Sequence, residues 1–287
     1  MKKRINLWAF KLIGVVLFLM ILASIDREGL LTQLKTTDLG LLAISFPLIY
    51  LIYFLKAKRF AELVNTNTFS LSLRTHWRIC NIGLFLASIT PGKLGEFGRA
   101  AYLKAEGLHL STAIAIATID RLFDVACILV IAIASVGILF GVKWAFVGLM
   151  IGLCIAIITL KLVNFTKRFP WLQCCNEILI AKRVVPASIW TVCAWVIHFV
   201  WVILIARAVG IELSIPILVA VITIVGIIGL LPIAPAGLGT RDAAFIVLLT
   251  PYNVEPEQAV ALAFLMFVSI ILSGLLGGYY FLRGAKV

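Results

Sequence analysis

Two stretches, ITPGKLGEFGR (residues 89–99) and LPIAPAGLGTRD (residues 231–242), decide how this chain folds. Each interrupts a long apolar run with Pro and Gly, which cannot continue a helix. The apolar segment before the first break, residues 79–90, reaches only ~18 Å as a helix, against a hydrocarbon core of ~30 Å. It therefore reads as half a crossing. Hydrocarbon cannot hydrogen-bond a free N–H or C=O group, so irregular backbone at that depth must be buried in protein or face a wet cavity.

The surrounding composition fixes the solvent. Of 287 residues, 63% are hydrophobic and 13% charged, whereas soluble domains carry ~25% charged residues; the mean hydropathy is +1.13. A water-facing surface cannot be built from so few polar side chains, which excludes a soluble enzyme, a disordered chain and a secreted disulfide scaffold. The formal net charge of +12 is read as the Lys and Arg excess that holds loops on the cytoplasmic side, not as a nucleic-acid footprint. The six cysteines form no CxxC pair and no Cys/His spacing for a metal site, so they are read as small hydrophobes.

Bilayer-length apolar segments lie near residues 12–25, 39–55, 113–140, 144–163, 187–206 and 259–282, giving six full spans. Basic residues orient them. Lys2, Lys3, Arg4 and Lys11 mark the N-terminus as cytoplasmic; Lys56, Lys58, Arg59, Arg74 and Arg78 mark a second inside loop; Lys161, Lys167, Arg168, Lys182 and Arg183 a third; Arg283 and Lys286 the C-terminus. Parity then requires residues 79–103 to enter and leave on the cytoplasmic side, and residues 215–250 to begin and end outside. Both are expected to be re-entrant helical hairpins, opening in opposite directions.

The two broken regions match at a spacing of 144 residues: Pro91 with Pro235, Leu94 with Leu238, Gly95 with Gly239, Ala100 with Ala244. The same spacing carries the span at 39 onto that at 187 and the span at 113 onto that at 259. Residues 1–143 and 144–287 are thus expected to be inverted repeats. Pro/Gly breaks at corresponding places in two such halves point to a transport site near the membrane midplane. The helix-breaking set is Pro91, Gly92, Gly95, Pro235, Gly237 and Gly239.

Sorting the 25 basic residues by this topology leaves 17 inside, four outside and four in the membrane zone: Lys93, Arg99, Arg121 and Arg241. Four acids accompany them, Glu96, Asp120, Asp124 and Asp242, so the embedded set sums to zero. Isolated charges at that depth cost at least ~2.5 to 3.5 kcal/mol each. Asp120 and Asp124 are i and i+4 and share a helix face. Two readings compete. In one, Lys93 or Arg99 pairs with Asp120 or Asp124, and Arg241 with Asp242 or Glu96, only to lock the hairpins. In the other, the four cations bind a phosphate from a lipid head group while the four acids balance or gate them. Among weaker marks, His198 between Trp195 and Trp201 is expected to pack between helices, Pro47 to kink its span, and residues 165–186 to form a short amphipathic segment.

The strings PGKLGEFGR (91–99), IDRLFD (119–124) and PAGLGTRDAA (235–244) resemble the membrane region of the lysylphosphatidylglycerol synthase (multiple peptide resistance factor) family, over nearly the whole chain. In that family the region is a flippase-like domain that moves aminoacylated phospholipid between leaflets, and it also occurs alone or joined to glycosyltransferases. The resemblance places motif residues at Pro91, Gly92, Lys93, Gly95, Glu96, Arg99, Arg121, Asp124, Pro235, Gly237, Gly239, Arg241 and Asp242. Asp120 and Asp242 stand where Glu is more usual, Ala236 where Gly is usual, and Leu265 where the family often has Arg. With no soluble aminoacyl transferase domain before Val287, a stand-alone form is expected.

The sequence thus predicts an all-α polytopic membrane protein of the cell (inner or plasma) membrane, with six full spans, two re-entrant Pro/Gly-broken hairpins and cytoplasmic termini. Its expected function is translocation of an anionic or modified phospholipid, or of a polyprenyl-phosphate-linked lipid, between leaflets. No catalytic residue, cofactor, metal or nucleic-acid partner is expected; the partners are an anionic-headed membrane lipid and lipid-modifying or glycosyltransferase enzymes. No Walker sequence is present, so ATP is not expected to drive the movement. The alternatives are a membrane-embedded lipid-modifying transferase with Glu96 or Asp120 as general base, and a scaffold subunit of a lipid-linked polysaccharide machine.

Overall fold

The computed structural model describes residues 20, 26–66, 68–90, 94–144, 146–150, 178, 180–230 and 239–283. Among them secondary structure is helical throughout: α1 (Arg27–Lys35), α2 (Leu39–Val64), α3 (Leu73–Ile89), a 3-10 turn (Leu94–Gly98), α4 (Arg99–Ala105), α5 (Leu110–Phe140), α6 (Ala181–Ala208), α7 (Ile215–Ile228), α8 (Thr240–Leu249), a second 3-10 turn (Thr250–Tyr252) and α9 (Pro256–Leu282). Four helices, α2, α5, α6 and α9, are long and apolar enough to cross a membrane. The chain is a multi-pass membrane protein. Most of the expected spans at 12–25 and 144–163 and residues 165–177 of the amphipathic segment expected at 165–186 lie outside the described residues, while residues 181–186 of that segment belong to α6.

Local chemistry sets the helix starts. Asp26 accepts from the Glu28 N–H at 3.0 Å to begin α1, Asp38 from Gly40 and Leu41 at 2.8 and 3.1 Å to begin α2, and Ser72 from Thr75 at 3.2 Å to begin α3. Proline sits in the first turn of α7 and α9, where its missing N–H is not needed.

Packing follows a regular scheme. α2 lies along α6; α3 packs on α9 and α7 on α5; α4 packs on α5 and α8 on α9; α7 and α8 also touch each other. Where α3 crosses α9, Gly274, Gly277 and Gly278 let the α9 backbone close onto Asn81 and Phe85. One apolar core joins α2, α6, α7, α8 and α9 through Ile49, Val202, Leu218, Phe245 and Leu262. A second joins α2 to α5 through Phe60, Ile79, Leu103 and Ile116.

Two expectations change. The helix before the first break is not the 12 residues of 79–90: it begins at Leu73 and has 17 residues, about 25 Å long, because Ser72 caps it upstream of Arg74 and Arg78. Lys56 and Arg59 do not lie in a loop. α2 continues through them to Val64, and Arg59 is 0% exposed.

Candidate functional site

The breaks themselves are built from small residues. After α3 the chain turns back so that Gly95 lies against the Leu86 carbonyl, where a β-carbon would not fit. Thr90 pins this turn, its hydroxyl donating to Leu86 O and accepting from the Gly95 N–H, both at 2.7 Å. α4 then begins at Arg99. In the second break Gly239 adopts φ +78°, a conformation side chains disfavour, and α8 starts at the next residue. Pro91, Gly92, Lys93, Pro235 and Gly237 lie outside the described residues.

The turn, α4 and the long helices α2 and α5 deliver charges to one place. Arg59 of α2 donates from Nε to Asp120 Oδ1 at 2.7 Å and forks onto Asp124, Nη1 to Oδ1 at 2.9 Å and Nη2 to Oδ2 at 3.1 Å. Its Nη1 also reaches Thr191 Oγ1 of α6 at 3.3 Å. Arg99 takes the other oxygen of Asp120 at 2.8 Å and stands 3.8 Å from Glu96. Arg121 binds Glu96 at 2.8 Å and approaches Asp124 at 3.9 Å; Lys56 binds Asp124 Oδ2 at 3.0 Å. Gly83 of α3 leaves the space that the Arg99 side chain fills.

This cluster has two layers. Arg59, Arg99 and Asp120 form the inner one, with side chains only 1–2% exposed. The outer layer, Lys56, Glu96, Arg121 and Asp124, lines a cavity of about 160 Å³ enclosed by α2, α3, α5, α6, α7, α8 and α9. The rest of that wall is mostly apolar, including Ile222, Phe245 and Met266. His198 also lines it, its ring 5.2 Å from that of Trp195 and 5.5 Å from that of Trp201, so it faces the cavity as well as packing between the indoles.

Arg241, in the first turn of α8, lines the same cavity. It is 7% exposed, and its Nε and Nη2 have no hydrogen-bond partner among the described residues. The expected pairing with Asp242 or Glu96 is not found. Asp242 Oδ2 instead accepts from the Gly239 N–H at 2.8 Å, capping α8 with the charge the helix N-terminus favours. Arg241 is left without an ion-pair partner among the described residues.

The structure thus brings together Glu96, Arg99, Asp120, Arg121 and Asp124, sets Arg241 on the same cavity, and holds Asp242 one residue away on backbone duty. It adds Lys56 and Arg59, which the charge rule assigns to a loop. Their signal is helical periodicity: Ser45, Ile49, Ile52, Phe60 and Leu63 form one buried stripe, and Lys56 and Arg59 continue it, whereas Lys58 turns away onto the Trp190 ring at 4.5 Å. Lys93 of the expected set lies outside the described residues, so the charge is summed over the others. Among the described residues Lys56, Arg59, Arg99, Arg121 and Arg241 face Glu96, Asp120, Asp124 and Asp242, one positive charge in excess.

Comparison with known proteins gives the chain relatives among membrane proteins. The model of the lysylphosphatidylglycerol synthase TM region matches residues 6–278. A UPF0104 membrane protein of Methanocaldococcus jannaschii is 24% identical over 306 aligned positions, covering 93% of this chain and 91% of that protein. With a match that spans nearly its full length, the chain belongs to the lysylphosphatidylglycerol synthase transmembrane-region family.

Proposed function

We propose that this protein is a lipid translocase, not an enzyme: it passes an anionic or modified phospholipid, or a polyprenyl-phosphate-linked lipid, between leaflets. The observation that carries the reading is Arg241. A buried guanidinium without an ion-pair partner among the described residues shares a cavity with Lys56, Glu96, Arg121 and Asp124, and the other residues of its lining are mostly apolar. An unpaired buried charge is costly, so a visiting anion is the partner that makes the arrangement favourable. Arg241 and Arg121 would hold the phosphate, with Arg99 and Lys93 supporting them, and Glu96, Asp120, Asp124 and Asp242 balancing the set. The chain of the lipid would stay on the apolar side.

Helix order supports an inverted repeat beneath this function. At the spacing of 144 residues α2 falls on α6, α3 on α7, α4 on α8 and α5 on α9. The packing respects the same exchange, α3 on α9 answering α7 on α5, and α4 on α5 answering α8 on α9. α3, α4, α7 and α8 have 17, 7, 14 and 10 residues, all short of a full ~20-residue crossing, as two re-entrant hairpins require. One charge crossing the membrane gains or loses ~2.3 kcal/mol per 100 mV, so an inside-negative potential favours outward movement of an anionic lipid.

The test is reconstitution into liposomes with labelled phospholipids and a labelled polyprenyl phosphate, scored for leaflet exchange. Exchange of at least one anionic lipid is expected, abolished by Arg241→Gln. Unchanged sidedness across the panel would sink the translocase reading, and a covalently altered lipid would replace it with a transferase.

A further inference from the structure

We infer that Lys56 is a third cation of the head-group site, held on Asp124 in this structure and transferred to a lipid phosphate that enters the cavity. The inference rests on the head-group reading above and adds to it a residue and a counterion exchange.

The geometry of Asp124 is the starting point. Both its oxygens are already held by the Arg59 fork, at 2.9 and 3.1 Å, and Lys56 adds a further contact to Oδ2 at 3.0 Å. Asp124 therefore keeps a paired, hydrogen-bonded guanidinium if Lys56 leaves. The same cannot be said of Arg59, which serves two carboxylates at once and is sealed at 1% side-chain exposure. Lys56 is the most exposed member of the cluster, at 16%, and it lines the cavity that Arg121 and Arg241 also line.

Chemistry distinguishes the two cations in the same way. A guanidinium fits a carboxylate as a planar fork, whereas an ammonium on four methylenes is a mobile point charge that swings between acceptors. Arg59 and Arg99 of the inner layer are thus of the type suited to staying, and Lys56 is of the type suited to moving. Charge adds a reason to move: the described set carries one positive charge in excess, which a monoanionic phosphate diester neutralises. In the filled site Lys56, Arg121 and Arg241 then surround the phosphate from α2, α5 and α8, so one anion joins elements from both halves of the chain.

The experiment measures lipid binding and thermal stability of the purified full chain in detergent, with phosphatidylglycerol, a polyprenyl phosphate and phosphatidylcholine as probes. Wild type should bind an anionic probe more tightly than phosphatidylcholine and melt higher in its presence. Lys56→Gln should lose about tenfold of that affinity, as expected for one charge-assisted contact, and with it most of the lipid-induced stabilisation, while melting as wild type without lipid. Lys56→Arg should retain most of the binding. If Lys56→Gln keeps wild-type affinity while Arg241→Gln loses it, Lys56 is no ligand and the inference fails, leaving the head-group reading intact. If Lys56→Gln melts early without lipid, as is expected of Arg59→Met, Lys56 is a structural partner of Asp124 and the inference also fails. No preference for either anionic probe over phosphatidylcholine in wild type ends the head-group reading itself.

Discussion

Arg59 and Asp124 form a two-pronged buried pair, Nη1 on Oδ1 and Nη2 on Oδ2, and the remaining Nε of Arg59 reaches Asp120 one helical turn away. One guanidinium thereby ties α2 to two consecutive turns of α5. Arg99 closes the other side of Asp120, so α4 is fastened to the same point. The turn that carries Glu96 is positioned by this clasp, and the outer charges at the cavity wall rest on the inner ones.

Removing the clasp should therefore be a stability defect. Arg59→Met leaves Asp120 and Asp124 buried with fewer partners, and breaking a buried pair in this way costs roughly 3–5 kcal/mol. The melting temperature in detergent should fall steeply. Arg59→Lys should fail nearly as badly, since an ammonium cannot fork onto one carboxylate and reach a second. A melting temperature of Arg59→Met within a few degrees of wild type would show that the clasp is not structural.

Gly83→Ala tests the clasp from the other side. A β-carbon there meets Nε, Cγ and Cδ of Arg99, so the side chain must shift off Asp120. Overpacking of this kind costs about 1–3 kcal/mol. The substitution should lower the melting temperature, and it should do so much less in an Arg99→Ala background, where the obstructing atoms are gone. Equal losses in both backgrounds would mean that Arg99 does not occupy that space in solution.

The two charge assemblies were unequally legible in the sequence, for a physical reason. Asp120 and Asp124 announce a shared face by their spacing, and Glu96, Arg99 and Arg241 stand beside Pro and Gly inside apolar runs, so a hydropathy reading isolates them. Arg59 and Lys56 sit where an apolar run meets a basic cluster, and the positive-inside rule accounts for them without any partner. Their burial follows only from the stripe that begins at Ser45. The reverse failure concerns Asp242: charge alone pairs it with Arg241, whereas the start of α8 at Thr240 makes it a third-position cap for Gly239.

That cap makes a separable prediction. Gly239→Ala forces a side chain into φ +78° and should displace the first turn of α8, where Arg241 sits. Asp242→Asn keeps an acceptor oxygen for the Gly239 N–H but removes the charge. Anionic-lipid binding should fall in Gly239→Ala and persist in Asp242→Asn. Loss in Asp242→Asn equal to that in Arg241→Gln would give Asp242 a direct part in the site that its backbone hydrogen bond does not explain.

The inverted arrangement is tested at two exposed positions that no packing argument protects. Ser111 opens α5 just after the first hairpin, and Glu255 precedes α9 just after the second. At the spacing of 144 residues they are equivalent, so two copies inserted the same way up would place both on one side of the membrane. Opposed copies separate them. In a variant with its six natural cysteines replaced, Ser111→Cys should react with a membrane-impermeant maleimide only from the cytoplasmic side, and Glu255→Cys only from the outside. Labelling of both from one side would leave the hairpins opening in the same direction. Arg241 could then share a cavity with Arg121 only through packing that alternating access does not predict, and the translocation route would lose its symmetry argument while keeping its anion site.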